Sequence, residues 1–198
     1  SNRLPFLMKL PEAMLTLYRE GEPLPGKSLE NALKWADLVL AGPGIGTGST
    51  ARELVSRLLT GSSVPVVLDA DALNLIAQEP ALLKQAKIPT VVTPHLGEMA
   101  RLTGKSISEL KQDLPAAAAD FAEKFHTVCV LKDARTVVAS PEGTVFVNSS
   151  GCSALATAGS GDVLAGILAS LLVQQKNSGN PRPTEQTAAA AVFLHGLL

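Results

Sequence analysis

The run Ala158-Gly159-Ser160-Gly161-Asp162-Val163-Leu164-Ala165-Gly166 carries the clearest chemistry in the chain. Gly159 and Gly161 leave no side chain between the backbone and a phosphate. A helix opening there aims its free N–H groups, and the positive end of its dipole, at the same point. Asp162 falls in the first turn of that helix. A carboxylate beside an anion hole repels the anion it should hold unless it does chemistry. As a base it takes the proton from a hydroxyl that attacks a phosphoryl group. The plainer alternative is an aspartate that caps a helix after a glycine-rich turn.

Four other segments could serve the same site. Lys132-Asp133-Ala134-Arg135-Thr136 follows an apolar run, and a lysine at a strand exit can reach nucleotide phosphates or ribose; a solvated loop tip is the ordinary alternative. In Thr93-Pro94-His95-Leu96-Gly97-Glu98, either His95 and Glu98 both face a cleft, or Glu98 caps a helix and His95 is incidental. No third ligand stands at a recognisable metal spacing. Asp69-Ala70-Asp71, with Asn74, ends another apolar run. Such charges are costly unless they face solvent, a Mg²⁺ shell or a substrate, or cap a helix. The loop Gly42-Pro43-Gly44-Ile45-Gly46-Thr47-Gly48 has neither the Walker nor the Rossmann pattern, but suits close approach of a flat or phosphorylated ligand. His126 and His195 have no comparable setting and read as structural.

The elements that must position these residues alternate. Apolar runs at 36–41, 65–70, 89–93 and 128–132 read as buried strands, with helices between them. Continuous apolar strands imply a mostly parallel sheet with helices on both faces. Ligands of such sheets bind beyond the carboxyl ends of the strands, and the loops at 42–48, 69–71, 93–95 and 132–135 all fall there. Residues 136–140 and 144–148 read as a hairpin around Pro141-Glu142-Gly143. Thr50 with Glu53 is spaced as a capping box. So is Ser106 with Glu109, for a long Ala-rich helix ending near Phe125.

The 198 residues suffice for one α/β domain, and a formal net charge of −1 argues against nucleic acid or an anionic membrane as partner. Residues 163–173, the longest apolar stretch, are too few to span a bilayer. Cys129 and Cys152, in dissimilar contexts, read as reduced thiols of a cytoplasmic protein. Ser1-Asn2 and the apolar helical run 193–198 suggest a single domain, 1–198, cut at both ends.

Taken in order, LAGPGIGTG (40–48), VVLDADALN (66–74), VVTPHLGEMARLTG (91–104), VCVLKDARTVV (128–138), ATAGSGDVLAGILA (156–169) and AVFLHG (191–196) resemble the ADP/ATP-dependent NAD(P)H-hydrate dehydratases of the ribokinase-like superfamily. The resemblance covers nearly all of 36–198. Leu96 stands where the family usually has Pro, and Asp133 where Lys is usually followed by Gly. The strand, glycine-rich segment and helix that open family domains are not found. The resemblance implies a ribokinase-like fold and a repair reaction, in which hydrated NAD(P)H is phosphorylated from ADP or ATP and then loses phosphate. It implies that Asp162 is the base and contacts the hydrate, and that Gly159, Ser160 and Gly161 form the anion hole and touch the nucleotide. Lys132, Asp133, Ala134, Arg135 and Thr136 would line the nucleotide, and Gly46 and His95 would contact the hydrated dinucleotide. Mg²⁺ would bridge the nucleotide phosphates, held largely through water, since few protein ligands are evident and no metal-ligating residue is assigned. A homo-oligomer, often a tetramer, and an epimerase domain fused upstream would fit the same family. Two rivals remain: a small-molecule kinase of that superfamily, acting on a sugar or vitamin-precursor alcohol, and a non-catalytic nucleotide-binding domain.

Overall fold

The computed structural model describes residues 7–198. Six strands form one sheet in the order of the chain: β1 (Val39–Ala41), β2 (Val66–Leu68), β3 (Thr90–Val92), β4 (Val128–Leu131), β5 (Val137–Ala139) and β6 (Val145–Val147). The first four are parallel, and β5 and β6 continue antiparallel as the expected hairpin. Alternation of side chains sorts the strands between two cores. Val66, Leu68, Val92, Cys129, Leu131, Val137 and Ala139 pack into one apolar cluster, and Val67, Val91, Val128, Val130 and Val138 into another. The sheet is thus buried on both sides, which is why its strands read as unbroken apolar runs.

The first face is covered by α2 (Ser49–Gly61), α3 (Asp71–Ile76), α4 (Leu96–Thr103), α5 (Ile107–Leu110) and α6 (Leu114–Phe125), all of which contribute to its cluster. The second is covered by α7 (Ser160–Lys176) and α8 (Thr184–His195), through Leu164, Leu168, Ala188, Ala191 and Val192. The prolines at 5, 11, 23 and 25 make residues 1–35 read as irregular, but the helix α1 (Gly26–Trp35) starts directly after the last of them and precedes β1. No helix among the described residues is long and apolar enough to cross a membrane.

Three expectations need correction. The strands are shorter than the apolar runs, although flanking residues still hydrogen-bond across them, Asp69 N to Ala41 O and Thr93 N to Leu68 O at 3.1 Å each; an isolated bridge, His95 with Lys132, carries the β3–β4 pairing further. Thr50 and Glu53 form no capping box. α2 is capped instead from thirty residues upstream: Glu20 Oε1 accepts from Thr50 N at 3.1 Å and from Ser49 Oγ at 2.9 Å. The box of Ser106 and Glu109 exists, but it opens the four-residue α5. The long helix begins separately at Leu114, where Asp113 accepts from Ala116 N at 2.9 Å and Pro115 occupies the first turn, where no backbone N–H is needed.

Candidate active site

The carboxyl ends of the strands deliver their loops to one end of the sheet. After β2, Ala70 adopts a left-handed φ of 48°, so its two neighbours diverge. Asp69 turns under the sheet end, 2% exposed, and its Oδ1 lies 2.7 Å from Lys132 Nζ, which follows β4. The pair spans β3. Asp71 turns the other way, and its Oδ2 accepts from Gly46 N at 2.9 Å. Neither aspartate caps α3. The glycine loop is pressed against this turn: a Cβ on Gly42 would collide with the Asp69 carbonyl oxygen. Tyr18 Oη donates to Ile45 O at 2.9 Å on its outer side, where partial burial, then Glu20 and Asp71, push the phenol above its ordinary value.

After β3, His95 is the N-cap of α4 in a complete capping box. Its Nδ1 accepts from Gly97 N at 2.9 Å and Glu98 N at 3.3 Å, and Glu98 Oε2 accepts from His95 N at 2.8 Å. Because Nδ1 accepts, the imidazole proton sits on Nε2, 3.5 Å from Glu98 Oε1. Of the two sequence alternatives, the structure has Glu98 as a capping residue that does not line the cavity at this end of the sheet, whereas the exposed His95 ring does, with its proton placed by the Gly97 and Glu98 backbone N–H groups.

Gly159, in the left-handed region at φ 87°, turns the chain into α7. A Cβ on Gly161 would lie 3.4 Å from Lys132 Nζ, so the ammonium stands at the helix N-terminus. Some of these pieces line a cavity of about 830 Å³, large enough for a nucleotide. Lys132, Asp133, Ala134, Thr136, Ser160, Gly161 and His95 all reach it. Gly46, Arg135, Gly159 and Asp162 are not among its lining residues. Asp162 is exposed in the first turn of α7 and is not part of the cavity lining.

The structure adds residues that sequence reasoning passed over. The segment after β6, including Asn148, Ser150 and Cys152, forms one wall. His195, read as structural, also reaches the cavity, and its Nε2 lies 3.1 Å from Ser160 Oγ. The 35 positions between the two residues hide this contact from any spacing rule, and only the AVFLHG segment drew attention to that helix.

The chain matches the model of the family described as NAD(P)H-hydrate dehydratase over residues 2–198. It belongs to that family. A bifunctional NAD(P)H-hydrate repair enzyme Nnr of Gloeobacter violaceus is 46% identical over 192 residues, 94% of this chain and 35% of that protein. A ribokinase-like superfamily protein from Enterococcus faecalis has a solved structure that superposes with a TM-score of 0.82 at 32% identity, over 99% of this chain and 64% of that one. The ADP/ATP-dependent NAD(P)H-hydrate dehydratase from Bacillus subtilis, co-crystallized with ATP/Mg²⁺ and soaked with CoA, gives 0.75 at 29%, over 99% and 67%. The dehydratase-family chain described here is thus ribokinase-like in fold, and it spans about a third of the Nnr relative's length.

Proposed function

We propose that this chain supplies the dehydratase site of an NAD(P)H-hydrate repair enzyme, returning hydrated NAD(P)H to NAD(P)H at the expense of ADP or ATP. The observation that carries the reading is the meeting of Lys132, Asp133, Ala134, Thr136, Ser160 and Gly161 around one cavity at the N-terminus of α7, in a member of this family. The α7 N–H groups and the Lys132 ammonium offer the terminal phosphates a positive, preformed seat. Asp69 keeps that ammonium in place.

In-line transfer needs the attacking and leaving oxygens on opposite sides of phosphorus. A base inside the nucleotide cavity would stand on the leaving-group side. Asp162, beside the anion hole and outside the cavity, suits the attacking side, with Gly46 also outside it and His95, which reaches the cavity, set to meet the dinucleotide where the two ligands adjoin. Asp162 takes the proton of the hydrate's hydroxyl as its oxygen bonds to phosphorus and the bond to the departing nucleotide breaks. The ring nitrogen's lone pair then expels phosphate, the adjacent ring carbon gives up a proton, and the ring double bond is restored. Hydroxide is a poor leaving group and phosphate a good one, so one transfer suffices. No group of three His, Cys, Asp or Glu residues that could hold a metal stands among the described residues. A Mg²⁺ ion would therefore arrive on the nucleotide phosphates, where it would neutralise charge during transfer. An oligomer and a cytoplasmic location belong to the same proposal.

The test is to incubate the full-length protein with hydrated NADH and ADP or ATP, following dihydronicotinamide absorbance and phosphate release together. Both should rise in equal amounts and only with nucleotide. Phosphorylation of an alcohol without recovery of absorbance would favour the kinase reading. Nucleotide binding with no turnover would favour a non-catalytic domain.

A further inference from the structure

Ser160 opens α7 and His195 ends α8, two helices that cover the same face of the sheet. Ser160 Oγ and His195 Nε2 lie 3.1 Å apart, and both residues line the cavity. The end of α8 is held in place. Ser150 Oγ donates to Phe193 O at 3.0 Å, and Gly196 lies so close to Ser150 that a Cβ there would collide with its hydroxyl. His195 is thus a fixed neighbour of the first α7 residue.

A serine hydroxyl has one proton, and here that proton has two destinations. It can go to Nε2, if the imidazole carries its own proton on Nδ1. Alternatively Nε2–H donates to Oγ, and the hydroxyl proton is free to point elsewhere. Only the second arrangement lets Ser160 give a hydrogen bond to an anion at the α7 N-terminus, and hydrogen bonds to an ionised acceptor are the stronger kind. Neutral imidazole reaches either arrangement by changing tautomer, whereas lysine could only donate and a carboxylate could only accept.

We infer that His195 is a positioning residue of the anion hole: as the Nε2–H form it holds Ser160 Oγ and turns the Ser160 proton toward the nucleotide phosphate. This rests on the proposed nucleotide occupancy of the cavity. His195 does not touch the phosphate, and its effect passes through Ser160.

The experiment is calorimetric titration of the full-length protein with ADP, for wild type, His195→Leu, His195→Gln, Ser160→Ala and the His195→Leu/Ser160→Ala pair. Loss of one hydrogen bond predicts that His195→Leu weakens ADP about five- to tenfold. His195→Gln, whose amide can also donate, should recover most of that. The double variant should bind no worse than Ser160→Ala alone, because the histidine has nothing left to orient. In turnover, KM for ADP should rise more than kcat falls. Nitrogen-edited NMR should show the His195 ring moving to the Nε2–H form when ADP is added. Unchanged ADP affinity in His195→Leu, additive losses in the pair, or a loss that glutamine does not rescue and that tracks a lowered Tm would each overturn the inference. A wild-type protein that binds no nucleotide would instead remove the proposed function on which the inference stands.

Discussion

Asp162 is exposed in the first turn of α7, so its side chain can be changed without disturbing a core. Asp162→Asn keeps the shape and removes the proposed base. The expected result is a fall in kcat of about 10²–10⁴ with ADP binding retained, read from steady-state turnover and calorimetry. Asp69 is the opposite case, buried against Lys132. Asp69→Ala leaves an ammonium largely out of water with no carboxylate, and should cost about 3 kcal/mol in urea denaturation. Replacing both partners, as Asp69→Asn with Lys132→Met, should return most of that stability while nucleotide affinity stays low. Cys152 lines the cavity and is exposed, whereas Cys129 is buried and its thiol is pushed well above the ordinary range by that burial. A maleimide should therefore label one thiol, and saturating ADP should slow the labelling, as mass spectrometry of the peptide would show. At this scale the geometry of the Gly159–Asp162 stretch was legible, because glycine, helix start and carboxylate are adjacent in sequence. The Ser160–His195 and Asp69–Lys132 contacts were not, because they join elements 35 and 63 positions apart.

At the scale of elements, the N-terminus of α2 depends on a remote carboxylate. Glu20 is held below its ordinary value of 4.5, first by the Thr50 backbone N–H and then by the Ser49 hydroxyl. A carboxyl with a lowered folded value contributes stability that is present above its unfolded value and lost as pH falls through the folded one. The anchoring of residues near Glu20 should thus be constant from neutral pH down to about 4.5 and fail below it. Limited proteolysis across that range should show cleavage between residues 10 and 25 rising only at the acid end. Glu20→Gln should show the same cleavage at neutral pH. Period and composition placed the strands and the helices that follow them, since a sheet buried on both faces writes itself as apolar runs, but they missed α1, which none of those runs marks. They misassigned the α2 cap, because a local box is visible in sequence and an acceptor thirty residues away is not. They also fused α5 with α6, because Asp113-Leu114-Pro115 is itself a helix start that the upstream box obscured.

For the whole molecule, β1 is the outermost parallel strand. Beside it runs an apolar groove of about 330 Å³ lined by Leu29, Leu33, Leu38, Leu40, Ile45 and Leu54, among others. An open strand edge beside apolar surface invites further pairing. A protein of residues 1–198 should self-associate through this edge, and Leu40→Lys, at a position 36% exposed, should shift it toward monomer in light scattering. The order in which the molecule can be made follows from how the cavity closes. β1 to β4 pair with neighbours close in the chain, but the cavity walls run from His95 to Gly196, and the last of them locks onto Ser150. A chain emerging from the ribosome can lay down its sheet while the pocket still lacks one side. Nucleotide therefore meets a complete pocket, and protects the fold most fully, only in a molecule whose synthesis has passed residue 196.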